Sequence, residues 1–433
     1  MKGATVSSWP TNSGTAALAS RRADVVIVGG GPAGLSTALF LRHADPSLRG
    51  RVVVLEKERY PRDKFCAGAI GARADQLLAR IGVTVDVPSV AIDGMSLDLA
   101  GGRVTARGGA IGRVVRRLEF DHALANAARA RGIEIHEGAK VTALHVEPRH
   151  ARVESTAGTW EADVVVGADG VGSAVRRALG LAPGRLRAQV IELDTEEVRG
   201  DPERNMLHFD ASDVTLDGYA WDFPTLVDGR ALVCRGVYHL KTSERANEAE
   251  VDVHAILRER LAARGLDIGR YRIKRFAERG FERHVPYARE RVMLVGEAAG
   301  IDGLTGEGIA QAIAYGAFAG PYLAEKLARR EFGFSDFVAR LARSRVGFEL
   351  RVRAKTIPYY FGAHRALIER FVLGTPDFFA MGLEHFAGRK LSRARLAKSA
   401  LAFGAHVLSG ERRERSPGGS LPDSIICDAK TPE

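Results

Sequence analysis

Apolar residues along this chain fall into distinct patterns. Asp24-Val-Val-Ile-Val28 and Arg51-Val-Val-Val-Leu55 are unbroken, largely β-branched runs, which predict strands buried on both faces. Between them a glycine cluster leads into Leu35 to Arg42, which reads as a helix. Strand, helix and strand in this order predict a βαβ unit and a parallel sheet with crossover helices. Residues 90–106 and 186–240 differ. They alternate apolar and polar positions and carry turn residues, the pattern of a strand-rich layer. Helical stretches follow at 118–131 and 306–330, and 331–410 reads as helices without further strands of the first kind. Residues 1–22 are rich in Ser, Thr, Ala and Gly and hold no acid. The stretch from Arg412 is charged and then Pro/Gly/Ser-rich. Both ends predict disordered tails. An import sequence at the N-terminus is the minor alternative, since no apolar run there suits a signal peptide.

Composition narrows the classes. With 433 residues, 45% hydrophobic and 27% charged, the chain has material for a large core and two or three domains. It holds no uncharged apolar run of about 18 residues, so no spanning helix is expected. Cys66, Cys234 and Cys427 lie far apart, which excludes a disulfide framework and a CxxC pair. A reducing, cytoplasmic setting is the default. The 12 histidines show no HxxxH or HExxH spacing, so no metal site is expected. His284, before Val285-Pro286, reads first as an ordinary loop histidine and alternatively as one that approaches the substrate, and no GxSxG motif occurs. The net charge of +10 is modest for this length, and no nucleic-acid motif accompanies it. Its distribution is uneven. Arg329 to Arg415 holds 18 Lys/Arg against 8 Asp/Glu, and ten of the 18 phenylalanines. Basic, Phe-rich helices either lie peripherally on an anionic membrane or pack their Phe faces on the α/β domain and solvate their Arg faces.

Three motifs carry candidate chemistry. Gly29-Gly-Gly31-Pro-Ala-Gly34 fits GxGxxG directly after a strand and opening a helix. In that context Gly29 permits the tight turn, Gly31 admits a pyrophosphate to the backbone and Gly34 allows close packing of helix and strand. A helix N-terminus there favours phosphate. Glu56 ends the second strand, where a carboxylate accepts hydrogen bonds from a ribose diol. The second motif is Val164-Val-Val-Gly-Ala-Asp169-Gly170-Val-Gly-Ser173, a strand entering a turn. The third is Val292-Met-Leu-Val-Gly296-Glu297-Ala-Ala-Gly300, running into Thr305-Gly306-Glu-Gly308 and a helix.

Together these motifs resemble the FAD-dependent oxidoreductases of the p-hydroxybenzoate-hydroxylase fold, over roughly residues 23–330. The resemblance implies FAD as cofactor and NADH or NADPH as electron donor, with a separate flavin reductase as another source. It places Asp169 and Gly170 at the family's DG positions, linked to the pyrophosphate and to the nicotinamide cofactor. Gly296, Glu297 and Gly306 fall in its GD region, with residue 297 at the ribityl contact. Arg117 matches an arginine that reaches FAD just before a helix. The implied fold is α/β: a Rossmann-type FAD domain assembled from 23–84, 113–183 and 284–330. A strand-rich substrate layer follows from 85–112 and 184–283, then a helical region over 331–411 and a tail over 412–433.

A narrower likeness is to the geranylgeranyl reductase branch. Tyr60-Pro-Arg62-Asp-Lys64-Phe-Cys66-Ala-Gly68 resembles that branch's segment after the second strand, and Tyr219-Ala-Trp221-Asp-Phe223-Pro224 its YxWxFP stretch. On a strand, Tyr219, Trp221 and Phe223 share a face. They wall a cavity for a flat or lipid-like substrate or, alternatively, form an aromatic core stripe. The likeness puts Cys66 near the isoalloxazine, and Cys66 and Trp221 become the catalytic-site candidates. Two departures stand out: the GD aspartate is Glu297, in a shorter loop without proline, and Cys-Gly-Gly is Cys66-Ala67-Gly68. Lys64 and Trp221 stand in the wrong patterns for a halogenase. Two chemistries on a hydrophobic small molecule follow. One is NAD(P)H- and O2-dependent oxygenation of an aromatic or prenylated substrate. The other is reduction of isoprenoid double bonds with Cys66 as proton donor. Oxygenation ranks first, because it is the commonest chemistry of the wider fold and the departures weaken the reductase match. A non-catalytic flavoprotein is the reading from outside enzymes.

Overall fold

The structure is a computed structural model that describes residues 20–241, 251–413 and 424–428. Along the chain come β1 (Arg21–Val28), α1 (Pro32–Ala44), β2 (Val52–Glu56), β3 (Ala69–Gly71) and α2 (Ala72–Ala79). A long hairpin, β4 (Ser89–Leu99) and β5 (Gly102–Val115), precedes α3 (Arg117–Ala130). Then follow β6 (Glu134–Glu137), β7 (Val141–Val146), β8 (Ala151–Ser155), β9 (Gly158–Gly167) and α4 (Ala174–Ala178). The next layer holds β10 (Arg187–Thr195), β11 (Met206–Asp210), β12 (Gly218–Val227), β13 (Arg230–Lys241), α5 (Val253–Ala262) and β14 (Lys274–Arg279). The chain continues through β15 (Ala288–Arg289), β16 (Val292–Leu294), α6 (Ile309–Ala328), α7 (Phe337–Arg343) and α8 (Arg345–Tyr360). It closes with α9 (Arg365–Gly374), α10 (Pro376–Phe386), α11 (Arg393–Arg413) and β17 (Ser424–Asp428).

The strands form two sheets. The first runs β15-β16-β9-β1-β2-β6, parallel from β16 to β6, with β8 and β7 added antiparallel beside β9. Its register sets Val25 between Val52 and Val164, so three β-branched runs lie side by side. All three residues are fully enclosed, as strands covered on both faces must be. Helices α1 and α6 cross closely because Gly316 and Gly320 lack a Cβ, which would lie 2.2 Å from Ser36 Oγ and 2.5 Å from the Leu41 nitrogen.

The second sheet runs β14-β10-β13-β12-β11-β4-β5-β17, with β3 beside β5. Alternation divides its side chains. Ile191, Leu193 and Val237 pack with Leu257 and Leu261 of α5. Ala188, Val190, Trp221, Phe223 and Tyr238 point to the opposite face, where Ile357 and Phe361 from the end of α8 and Ala380 and Leu383 of α10 join them.

Two expectations about the ends change. β1 begins at Arg21, inside the expected tail 1–22, because Arg21 and Arg22 pair with Trp160 and Glu161 on β9 and Arg22 bonds Asp163. Within the expected tail 412–433, α11 continues through Arg413. Residues 424–428 form β17, parallel to Arg103–Arg107 of β5. The short Ile425-Ile426 run was hidden by its polar surroundings. Residues 1–19, 414–423 and 429–433 lie outside the described residues.

Candidate functional site

The first-motif glycines do different work. Gly29 has φ +106°, and a Cβ there would lie 2.4 Å from the Ala168 oxygen. A Cβ on Gly34 would lie 1.9 Å from the Gly29 oxygen. Both positions are closed by the protein itself. Gly31 has an ordinary φ of −83°, and a Cβ there would meet only the Arg117 and Arg62 guanidinium nitrogens, at 3.8 and 3.9 Å. Open space therefore lies before the α1 N-terminus. No side chain caps that terminus, and no acid occupies the first turn.

Both guanidiniums are fixed. Arg117 donates to the two Asp121 oxygens at 2.7 and 2.6 Å, and Arg62 reaches Asp121 at 3.0 Å. Burial opposes the Arg117 charge, but Asp121 outweighs it and holds the guanidinium more firmly protonated than usual. Arg62 Nε is buried without an acceptor. A helix N-terminus, two held cations and an unpaired donor around one open space fit a diphosphate.

Glu56 stands beside this space. Its Oε2 accepts from the Gly30 N–H at 2.8 Å and from Arg62 at 3.3 Å, and its Oε1 from the Glu58 N–H at 3.0 Å. The carboxylate thus shapes the Gly30 turn, and Oε1 keeps a lone pair for a ribose hydroxyl. Asp169 is otherwise engaged. Its Oδ1 accepts from the Ser173 hydroxyl at 2.5 Å, and its Oδ2 from the Ala174 and Val175 N–H groups at 2.6 and 3.3 Å. It caps the start of α4, and beside it the Gly170 backbone turns at φ +75°.

A Cβ on Gly170 would sit 3.5 Å from Glu297 Oε2, so the second and third motifs meet. Gly296, at φ +58°, abuts Ala33 in the first turn of α1 and brings the third motif to the same place. Glu297 Oε2 accepts from Lys64 at 3.1 Å, while Oε1 is buried with no partner, free for a sugar hydroxyl. The longer side chain at the GD position is therefore accommodated by Lys64. Arg279, at the end of β14, donates to the backbone oxygens of Glu297, Ala298, Pro183 and Val171 and so braces both motifs.

The second sheet closes the site from the other side. Tyr219 donates to the Thr305 oxygen at 2.6 Å and Tyr238 to the Gly303 oxygen at 3.1 Å. A Cβ on Gly306, at φ +66°, would lie 2.9 Å from the Tyr219 hydroxyl oxygen. The aromatic stripe therefore faces the third-motif loop. Trp221 is buried between Tyr219 and Phe223. Cys66 is half-buried, and its amide donates to Glu192 Oε1 at 3.0 Å. Burial pushes the Cys66 thiol up, against the pull of Arg117.

Two acids escaped the sequence reading. Burial pushes Glu192 of β10 to about 7, with Lys274 pulling down and Asp194 pushing up. Burial and then Glu297 drive Glu278 of β14 well above the carboxyl range, and its Oε2 is unpartnered. The available signal was a charge at alternate positions Ala188, Val190, Glu192. It was unreadable because the intervening positions, Gln189, Ile191 and Leu193, are no less mixed. Arg62 was visible only as part of a longer segment. C-terminal helices complete the surround: Arg353 of α8 bonds Asp302, and Arg73 of α2 bonds Glu307 and Glu349.

Comparison with known proteins places the chain among FAD-binding proteins. The model of a family described as an FAD binding domain matches residues 22–329. Digeranylgeranylglycerophospholipid reductase 1 of Methanopyrus kandleri is 30% identical over 325 residues, covering 70% of this chain and 81% of that one. Rifampicin monooxygenase of Streptomyces venezuelae is 33% identical over 183 residues, 40% of this chain and 37% of that one. A solved geranylgeranyl bacteriochlorophyll reductase-like protein of Thermoplasma acidophilum shares the fold at TM-score 0.63 and 18% identity, covering 91% of this chain and all of that one.

Proposed function

Since the chain belongs to the FAD-dependent oxidoreductases of the FAD-binding-domain family, in their geranylgeranyl reductase-like branch, we propose that it reduces carbon–carbon double bonds in the isoprenoid chain of a lipid. The observation that carries this reading is the pair of proton-holding acids, Glu192 and Glu278, beside Cys66 on the sheet face. Alkene reduction needs a hydride at one carbon and a proton at the other. FAD, when bound and reduced by NAD(P)H or a separate reductase, supplies the hydride. The chain does the rest. Arg62, Arg117 and the α1 N-terminus hold the diphosphate, and Glu56 and Glu297 take sugar hydroxyls. Tyr219, Trp221 and Phe223 keep an apolar chain in place and water out. Burial and Glu297 raise the Glu278 carboxyl well above its ordinary value and so favour its protonated form, and Cys66 sits within its field as the second proton source.

This ordering reverses the one from sequence, where oxygenation came first. The likeness to rifampicin monooxygenase, although it spans 37% of that protein, supports oxygenation as the second reading. Product mass separates them. Protein reduced under nitrogen and given a geranylgeranyl lipid is expected to yield product heavier by two hydrogens per bond. Cys66→Ala should slow that step about a hundredfold. A product gaining oxygen, formed only in air, would overturn the proposal.

A lipid substrate also gives the exposed C-terminal side chains a use. Phe348, Val352 and Tyr359 lie on one face of α8 with Lys355, and Leu401 and Leu408 of α11 are 75% and 68% exposed. Among the described residues no helix is long and apolar enough to cross a membrane. We propose peripheral contact, on the cytoplasmic side, with an anionic bilayer. The protein should sediment with phosphatidylglycerol vesicles and stay free of phosphatidylcholine ones. Phe348→Glu with Leu401→Glu should release it, and equal binding by the double variant would refute the contact.

A further inference from the structure

Strands β12, β13, β10 and β14 are neighbours, and their register sets Trp221, Gly236, Glu192 and Lys274 in one line across the sheet. The Trp221 ring covers Gly236, where a Cβ would lie 2.2 Å from it, and so reaches toward β10. Glu192 stands there with no solvent exposure. Its Oε1 accepts from the Cys66 amide at 3.0 Å, and its Oε2 faces the Cys234 thiol at 3.8 Å. Among the described residues no cation is dedicated to it. Lys274 is 4.0 Å away and donates to Asp194 at 2.7 Å, and Arg116 also reaches Asp194, at 3.2 Å. An enclosed carboxyl with so little compensation is unfavourable by itself. Its shortest hydrogen bond is to the backbone of a candidate catalytic residue.

We propose that Glu192 is a positioning residue: its carboxyl pins Cys66 to the sheet face beside Trp221. The pin has a pH dependence. Lys274 and Arg116 favour the carboxylate, while Asp194 and Glu278 oppose it, and the Cys66 amide and Cys234 thiol complete its surroundings. Burial pushes the group to about 7, above its 4.5 in water, so the closed pin keeps a proton that an opened one releases, and the pin loosens as pH rises through neutrality.

Hydrogen–deuterium exchange of the Cys66 peptide in FAD-loaded protein reads this pin directly. Glu192→Ala should speed exchange of that peptide about tenfold or more. Glu192→Gln, which keeps an acceptor, should restore most of the protection near pH 6. Between about pH 6 and about pH 8 the wild type should lose protection relative to Glu192→Gln, since only the glutamate ionises and its charge favours the opened state. Equal exchange in Glu192→Ala and wild type would overturn the proposal. If Glu192→Ala does not fold, a wild-type to Glu192→Gln ratio that stays flat with pH overturns it equally. The catalytic use of the placement rests on the double-bond reading above. Exchange needs no turnover, so the two ideas fail separately.

Discussion

Gly31→Val is expected to give a folded protein that no longer retains FAD. The backbone there is extended, at φ −83° and ψ −177°, a region that valine adopts readily. Beyond its chain neighbours, a Cβ would meet only the Arg117 and Arg62 nitrogens, at 3.8 and 3.9 Å, so the substitution is expected to leave the turn intact. What they fill is the space in front of the α1 N-terminus and the Arg117 and Arg62 guanidiniums. Losing even two hydrogen bonds to a charged diphosphate costs about 3 kcal/mol or more, at least a hundredfold in Kd. Gly34→Ala makes the contrast. Its Cβ would lie 1.9 Å from the Gly29 oxygen, so this change should disrupt the fold itself. The check is flavin absorbance per chain together with the melting temperature. Full FAD occupancy in folded Gly31→Val would remove the first motif from the cofactor site.

That contrast also shows what sequence could and could not convey. The GxGxxG spacing with its flanking strand and helix identified a nucleotide turn, because glycine at Gly29 and Gly34 answers to local backbone geometry. The β-branched runs around Val25, Val52 and Val164 predicted the parallel sheet for the same reason: burial on both faces leaves no alternation. Asp169 matched a cofactor motif, and its oxygens also cap α4, four to six positions on. Long-range commitments were not legible. Trp221 was placed on its stripe by period two, but only the register with Gly236 explains where its ring lies. Glu192 carried no readable signal, since its meaning comes from Cys66, 126 positions away in the chain. The last strand was missed because β17 depends on pairing with β5 rather than on any pattern of its own.

Glu192→Gln is expected to stabilise the protein at high pH and not at low pH. In the unfolded chain the carboxyl titrates at 4.5, and in the folded one burial raises it to about 7. Between these values the native state keeps a proton that the unfolded state has released. Native protein therefore binds more protons, and stability falls as pH rises across this window. Above about pH 7 both states are ionised, and the accumulated penalty is constant, on the order of 3 kcal/mol for a shift of this size. Glutamine never ionises, so it escapes the penalty. It also retains an oxygen for the Cys66 amide, and Lys274 is not stranded, because Asp194 still accepts from it at 2.7 Å. Urea midpoints for the two proteins should coincide near pH 4.5 and separate steadily up to about pH 7, with the variant the more stable. A difference of the same size at every pH would mean that Glu192 is not protonated by burial, and the double-bond reading would lose one of the two acids beside Cys66.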